Sequence, residues 1–250
     1  MDRTAYLKLI EEISLNAWPS YKTELYDGWL IRFSHNYTFR TNSVVQIGAS
    51  SLPVPDKIAY CESLYANYRT PANFKITPLL EPSFDALLAE RGYEMCNKAE
   101  VMTAPLTALP PLNTVVQLEH SITDEWLAAL FRLNGIADPV LVQIVPSMFR
   151  AIPKEIIVAS IKVDGSIVAS GLGILERGHV GLYAIYVAAG YRRQSFARAI
   201  CTSILSEAQK QGMTHAYLQV ATGNIAAKNL YQSLGFQDFY TYWFRSKQRT

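Results

Sequence analysis

The chain has 250 residues, 50% hydrophobic and 18% charged, which excludes a disordered polymer and leaves room for one large core or two smaller ones. Its 23 Lys+Arg against 21 Asp+Glu give a formal net charge of +2, so no global field points to nucleic acid or to an acidic membrane surface, and any basic site must be local. Three scattered cysteines without CxxC spacing, Cys61, Cys96 and Cys201, suit a reduced interior, and a cytoplasmic protein is expected.

In chain order, MDRTAYLKLIEEI mixes acids into its apolar positions and does not read as a signal peptide. GWLIRFS and FRTNSVVQIG alternate like strands, DKIAYCESLYANY has helical spacing, and FKITPL reads as a strand. SFDALLAERGYEM predicts a helix stopped by Gly92, with a strand in AEVMTAPL. A proline-rich break, APLTALPPLN at 104–113, divides the chain into expected units 1–108 and 109–250. Beyond it come a strand in VVQLEH, a helix in TDEWLAALFRL capped by Thr123, and a helix in LVQIVPSMFRAI that Pro146 must kink or begin. EIIVASIKVDGSIVASGLGIL gives two strands joined at Asp164-Gly165, the strongest hairpin signal in the chain. HVGLYAIYV is a further strand, followed by a helix to about Gln211, the strand HAYLQVA, a short helix from about Ile225 to Leu234, and the strand DFYTYWFR. The longest uncharged apolar stretch near there, Val180 to Tyr191, is shorter than the roughly 18 residues of a membrane span. ALLAERGYEM and NLYQSLGFQD each place a helix, a glycine and an aromatic before a strand, a faint internal repeat.

The segment after HVGLYAIYV carries the chemistry. A buried strand that turns into a helix presents unpaired backbone N–H groups, which bind anions, and Arg192, Arg193 and Arg198 add charge at that place. Taken alone, an Arg-Arg pair fits a solvated loop equally well. The run Arg192-Arg193-Gln194-Ser195-Phe196-Ala197 resembles the pyrophosphate loop of the GNAT superfamily of N-acetyltransferases, Gln/Arg-x-x-Gly-x-Gly/Ala, with Ser195 standing where the family has glycine. Asn224 to Phe236 is similar to the same family's Asn-x-x-Ala-x-x-Leu-Tyr-x-x-x-Gly-Phe signature at every specified position.

The resemblance, which spans roughly residues 115–245, implies an α/β fold with a splayed central mixed sheet flanked by helices, preceded by a second, smaller N-terminal α/β unit. It implies acetyl-CoA as acyl donor, with Ile185, Tyr186 and Val187 offering backbone groups to the pantetheine arm. Arg192, Arg193, Gln194, Ser195, Phe196, Ala197 and Arg198 would hold the pyrophosphate, and Asn224 belongs to the cofactor-binding signature. Tyr231 corresponds to the acid that protonates the departing thiolate, a role that suits a phenol with pKa near 10. By spacing alone, Ala227, Leu230, Tyr231 and Leu234 form a helical stripe that reads as core.

No general base stands out. Gln219, five residues before Asn224, cannot accept a proton usefully, and Glu119, Glu176 and His179 are candidates without a claim. His35, His120, His179 and His215 lack metal-site spacing, so no metal is expected; nor is there a GxGxxG, GxxxxGK[S/T] or GxSxG motif. The first half, lacking an arginine loop, predicts one cofactor per chain; its aromatics, Trp18, Tyr21, Tyr26, Trp29, Phe33, Tyr37 and Phe39, read as core or as the wall of an acceptor site. The expected partner is a small-molecule or peptide amine, with no nucleic acid and no membrane; dimerisation stays open. Ser195 and Gln219 motivate a second reading, a non-catalytic acyl-CoA-binding or sensing module.

Overall fold

Asp2 opens the first helix by accepting a hydrogen bond from the Ala5 N–H (2.8 Å), and α1 then runs Arg3–Ala17, an element that the sequence reading does not assign. The computed structural model describes residues 1–106 and 114–247, so the expected boundary at 108/109 lies outside the described residues. A hairpin follows, β1 (Lys22–Tyr26) and β2 (Trp29–Phe33), turned by Asp27 and Gly28 at positive φ of 41° and 77°. This is the backbone that a two-residue turn between twisted strands requires. Next come β3 (Val44–Gln46), α2 (Val54–Asn67), β4 (Asn73–Ile76), α3 (Pro82–Glu90) and β5 (Glu94–Pro105).

The second half begins with β6 (Gln117–Glu119), α4 (Asp124–Asn134) and α5 (Pro139–Arg150). Thr123 caps α4 as expected, its hydroxyl accepting from the Trp126 N–H at 3.2 Å. Pro146 lies inside α5 and not in its first turn, which Asp138 caps and Pro139 begins. The first half's order then recurs: a hairpin of β7 (Glu155–Val163) and β8 (Ser166–Glu176), then β9 (His179–Val187), α6 (Phe196–Lys210), β10 (His215–Ala221), α7 (Ile225–Gln232) and β11 (Gln237–Ser246).

All strands join one 11-stranded mixed sheet in the order β1-β2-β3-β4-β11-β5-β10-β9-β8-β7-β6. The recurrence extends to detail. Asp164-Gly165 turns the second hairpin at φ 50° and 76°, as Asp27-Gly28 turns the first. Gly92 and Gly235 end α3 and α7 at φ 81° and 91°, and the aromatic after each donates its N–H back into the helix, Tyr93 to Leu88 O (3.0 Å) and Phe236 to Tyr231 O (3.1 Å). The short repeat in the sequence therefore marks a duplication of the whole pattern. Each half also lends its last strand to the other: β5 pairs with β10, and β11 pairs with β4, with β5 and β11 antiparallel to each other between them.

One sheet face carries α1, α4 and α5 against Val101, Leu172, Tyr183 and Tyr242; the other carries α6 and α7 against Leu182, Leu218 and Val220. Gly171 and Gly173 on β8 admit α6 closely, since a Cβ at Gly171 would fall 2.3 Å from Ile200 Cγ2 and one at Gly173 2.4 Å from Ile204 Cγ2. Two absent side chains thus set the seat of the helix whose first residues matter most below.

Candidate active site

β9 and β10 run parallel through His179↔His215, Val180↔Ala216, Gly181↔Tyr217 and Leu182↔Leu218, and there the pairing ends. β10 continues along β5 (Gln219↔Val101, Val220↔Glu100, Ala221↔Ala99), while β9 stays with β8. The parting has a local cause. Ser170 pairs with Tyr186 and Leu172 with Tyr183, so one extra residue of β9 opposes Gly171, and Ala184 takes a φ of 51°. Such a bulge bends its strand. Ala188 donates its N–H to Val168 O across β8, so the alternate residue Val187 turns its carbonyl to the open side, where it accepts from Arg192 Nε at 3.3 Å. Ile185, Tyr186 and Val187 therefore line the open edge, half-buried.

After a single 3₁₀ turn at Ala189–Tyr191 and an extended Arg192, the chain enters the left-handed region twice, at Arg193 (φ 66°) and at Ser195 (φ 62°). The N–H groups from Arg193 through Arg198 donate to no described residue; the first N–H returned to the helix is Ala199, to Ser195 O at 2.9 Å. Successive free N–H groups at a helix start make a cradle of the kind that suits an anion. Arg192, Arg193, Gln194 and Ser195 are exposed around it. Gln194 Nε2 contacts Gly190 O at 3.4 Å, and Arg198 Nη2 donates to Ser233 Oγ at 2.6 Å, which ties α6 to α7. The left-handed φ of Ser195 is one that glycine adopts without a Cβ penalty. Ser195→Gly removes a Cβ penalty of about 1 kcal/mol, and a higher melting temperature with severalfold tighter CoA binding is expected by thermal melt and calorimetry. Weaker binding instead would mean that the Ser195 hydroxyl itself grips the phosphate.

Tyr231 is buried on α7, packed in the same apolar cluster as Ile185, Val187 and Phe196, and edge-on to Phe236 at 6.0 Å between centroids. Its hydroxyl bonds to no described residue; burial, then the nearby Cys201 and Tyr186, push its pKa well above that of a free phenol. It stays protonated. Asn224, expected among the cofactor contacts, caps α7 with its Oδ1 on the Ala227 N–H (3.2 Å). Gln219 flanks the parting and accepts from the Tyr242 hydroxyl at 2.7 Å. His179 and Glu176 lie at the other end of β9, His179 roughly 20 Å from Ile185 by strand rise. Glu176 pairs with Lys154 at 3.1 Å, and burial holds His179 below the usual imidazole range. Glu119 is exposed on the edge strand β6.

The face opposite Tyr231 is walled by the first half. Of its aromatics, Trp29 and Phe33 are core, Tyr26 stacks on Tyr60 and Tyr21 is exposed; Trp18, Tyr37 and Phe39 pack beside the parted strands. Trp18 lies 5.3 Å from Tyr183 and 6.4 Å from Tyr37 between centroids. Arg40, from the loop between β2 and β3, donates Nε to the Tyr242 hydroxyl at 2.7 Å and so connects through it to Gln219. No signal in the sequence placed Arg40 here, because the loop is distant in the chain from every motif.

The first half repeats the strand geometry of this site without its polar groups. β3 and β4 share a single parallel pair, Val44↔Phe74, and beside their parting lies a cavity of about 290 Å³ between Glu11, Leu15, Gln46 and Lys75. The loop leading into α2 spends its N–H groups on Asp27, whose carboxylate accepts from Ser51 (2.9 Å) and Leu52 (3.0 Å) and pairs with the fully buried Lys57 (3.1 Å). Those N–H bonds hold Asp27 well below the usual carboxylate range. Asp164, its counterpart, is exposed and bonds to no described residue. Leu88, four residues before Gly92, occupies the place of Tyr231, four before Gly235. Neither anion cradle nor phenol survives there.

Comparisons with known proteins bear on the whole chain. A Bacillus subtilis protein named "Uncharacterized N-acetyltransferase YobR" is 24% identical over 247 residues, covering 97% of this chain and 99% of that protein. The ribosomal protein bS18-alanine N-acetyltransferase of Escherichia coli K12 is 32% identical over 75 residues, 30% of this chain and 51% of that protein. Among solved structures, a GCN5-related N-acetyltransferase from Kribbella flavida superposes with a TM-score of 0.70 at 16% identity, covering 99% of this chain and 96% of that one. A tandem GNAT protein from the clavulanic acid biosynthesis pathway gives 0.64 at 12% identity, covering 83% and 76%. At such identities these two likenesses speak for the fold. The family described as "Probable histone acetyltransferase Rv0428c C-terminal" matches residues 4–244, beyond the 115–245 that the motifs alone suggested. Because that match takes in both halves, the chain as a whole belongs to this family, within the GNAT superfamily of N-acetyltransferases.

Proposed function

We propose that the protein transfers an acetyl group from acetyl-CoA to a primary amine by direct attack, with Tyr231 as the acid that protonates the departing thiolate. The observation that supports this reading best is the parting of β9 from β10, because the open edge at 185–187 runs on to the free N–H groups at 193–198 and shares an apolar cluster with Tyr231. When bound, acetyl-CoA supplies the activated thioester. The backbone of β9 orients its arm, the α6 start with Arg192 and Arg193 binds its pyrophosphate, and Tyr231 holds the proton in a site too apolar for phenolate. Asn224 serves by fixing the start of α7, and hence Tyr231.

On this reading residues 1–108 and 109–250 are fused copies, of which the second alone binds cofactor. The free thiols fit a reduced compartment, the cytoplasm. Among the described residues no helix is long and apolar enough to cross a membrane. Calorimetry with acetyl-CoA should give one site per chain, and thiol release over an amine panel should follow. Binding without release for any amine would favour the sensing module, which Ser195 and the hydrogen-bonded Gln219 motivate; no binding would end both readings.

A further inference from the structure

Among the described residues, the cations packed into the interior spend their donors on carboxylates or on other oxygens of the protein, with one exception. Lys57 meets Asp27 at 3.1 Å, Lys75 meets Glu11 at 2.5 Å and Arg245 meets Asp85 at 2.8 Å. Arg32 has no carboxylate but spends its donors on Ser20 Oγ, Arg40 O and Trp18 O. Arg40 differs from all of these. Only its Nε is used, on Tyr242, and neither Nη1 nor Nη2 bonds to a described residue; no Asp or Glu stands within ion-pair reach. Unlike Arg32, whose donors are spent on three oxygens, Arg40 keeps both terminal nitrogens as donors for a further partner.

Its position is specific. Tyr242 joins Arg40 to Gln219, the first β10 residue beyond the last parallel pair, and Trp18, whose carbonyl shares Arg32 with that of Arg40, lies 5.3 Å from Tyr183, the first β9 residue beyond it. Tyr183, Tyr186 and Tyr242 belong to the cluster on one sheet face and Tyr231 to that on the other. Arg40 therefore stands at the vertex of the crevice, on the face away from Tyr231. The loop that carries it is braced: Arg32, 3% exposed, donates Nη1 to Arg40 O at 2.6 Å and Nη2 to Trp18 O. Two parallel donors of a fixed guanidinium match the two oxygens of a carboxylate.

We propose that Arg40 receives the carboxylate of the acceptor, so that the substrates are amines that also bear a carboxylate, amino acids above all. This rests on the transferase reading, since it takes the parted strands as the place where thioester and amine meet. The first half, having lost its own cofactor site, then contributes the specificity of the second.

The test separates recognition from turnover. The protein saturated with CoA is titrated calorimetrically with the proteinogenic amino acids, β-alanine and γ-aminobutyrate, each beside its carboxamide. At least one acid should bind, with its carboxamide about 10- to 100-fold weaker, the range expected for hydrogen bonds to a charged group. Arg40→Gln should erase that gap while leaving CoA affinity within about twofold, and in the thiol-release assay should raise KM for the acid far more than it lowers kcat. Arg40→Lys, which keeps charge but not the fork, should fall between, and guards against a folding defect in the glutamine variant. Equal binding of acid and carboxamide, an unchanged gap in Arg40→Gln, or no acid bound at all would overturn the assignment. Carboxylate-dependent binding without thiol release would uphold Arg40 and remove the transferase reading instead.

Discussion

Tyr231→Phe is expected to bind acyl-CoA with unchanged affinity and to release thiol about 100-fold more slowly or worse, the contribution typical of a positioned general acid. The separation follows from where the residue sits. Its ring lies in the apolar cluster on the α6 and α7 face and edge-on to Phe236, packing that phenylalanine preserves, whereas its hydroxyl bonds to no described residue, so its removal leaves no buried partner unpaired. Stability should therefore change little. Steady-state thiol release beside calorimetry of CoA binding is the measurement, and unchanged turnover would take Tyr231 out of the mechanism. A parallel decline in binding and rate would point to a packing role.

Lys75→Ala should have the largest effect on stability, about 3–5 kcal/mol by urea denaturation, the range for removing one member of a buried ion pair. Lys75 and Glu11 are 6% and 7% exposed and meet at 2.5 Å; Glu11 also accepts from the Tyr240 hydroxyl, and the Lys75 ammonium lies 4.5 Å over the Tyr242 ring. The alanine variant leaves the Glu11 carboxylate inside without its cation. Replacing both members with methionine should restore part of the loss, because two apolar groups need no counter-charge, while the Tyr240 hydroxyl is left without its acceptor. A small loss from Lys75→Ala alone would show that water enters the adjoining cavity and solvates Glu11.

Much of the second half could be read from sequence because its signals are local. The Asp164-Gly165 turn, the Thr123 cap, and the helix, glycine and aromatic closing at Gly235-Phe236 are each written within a few residues, and each forms as expected. The anion cradle could be placed for the same reason, since a strand, a turn and a helix start are contiguous in Tyr186–Ile200. The first half was less transparent. α1 has Glu11 in its buried stripe, which masks its amphipathic period, and β1 alternates polar residues at an exposed edge. The exchange of β5 and β11 left no trace, because pairing partners more than a hundred residues apart are chosen by tertiary packing and not by any local code. Arg40 was missed for that reason too: a loop residue between two early strands acquires its place only when β11 brings Tyr242 alongside. Asn224 shows the converse, a motif residue whose side chain works as a helix cap.

The crossing of β5 and β11 governs how the protein is born. While the ribosome is still making residues 237–246, β4 and β5 have no strand between them, and the nascent first half waits with two open backbone ladders. The sheet of the first half and that of the second are joined by the same strand, so a chain that ends before β11 is expected to leave both sheets with an unpaired inner edge.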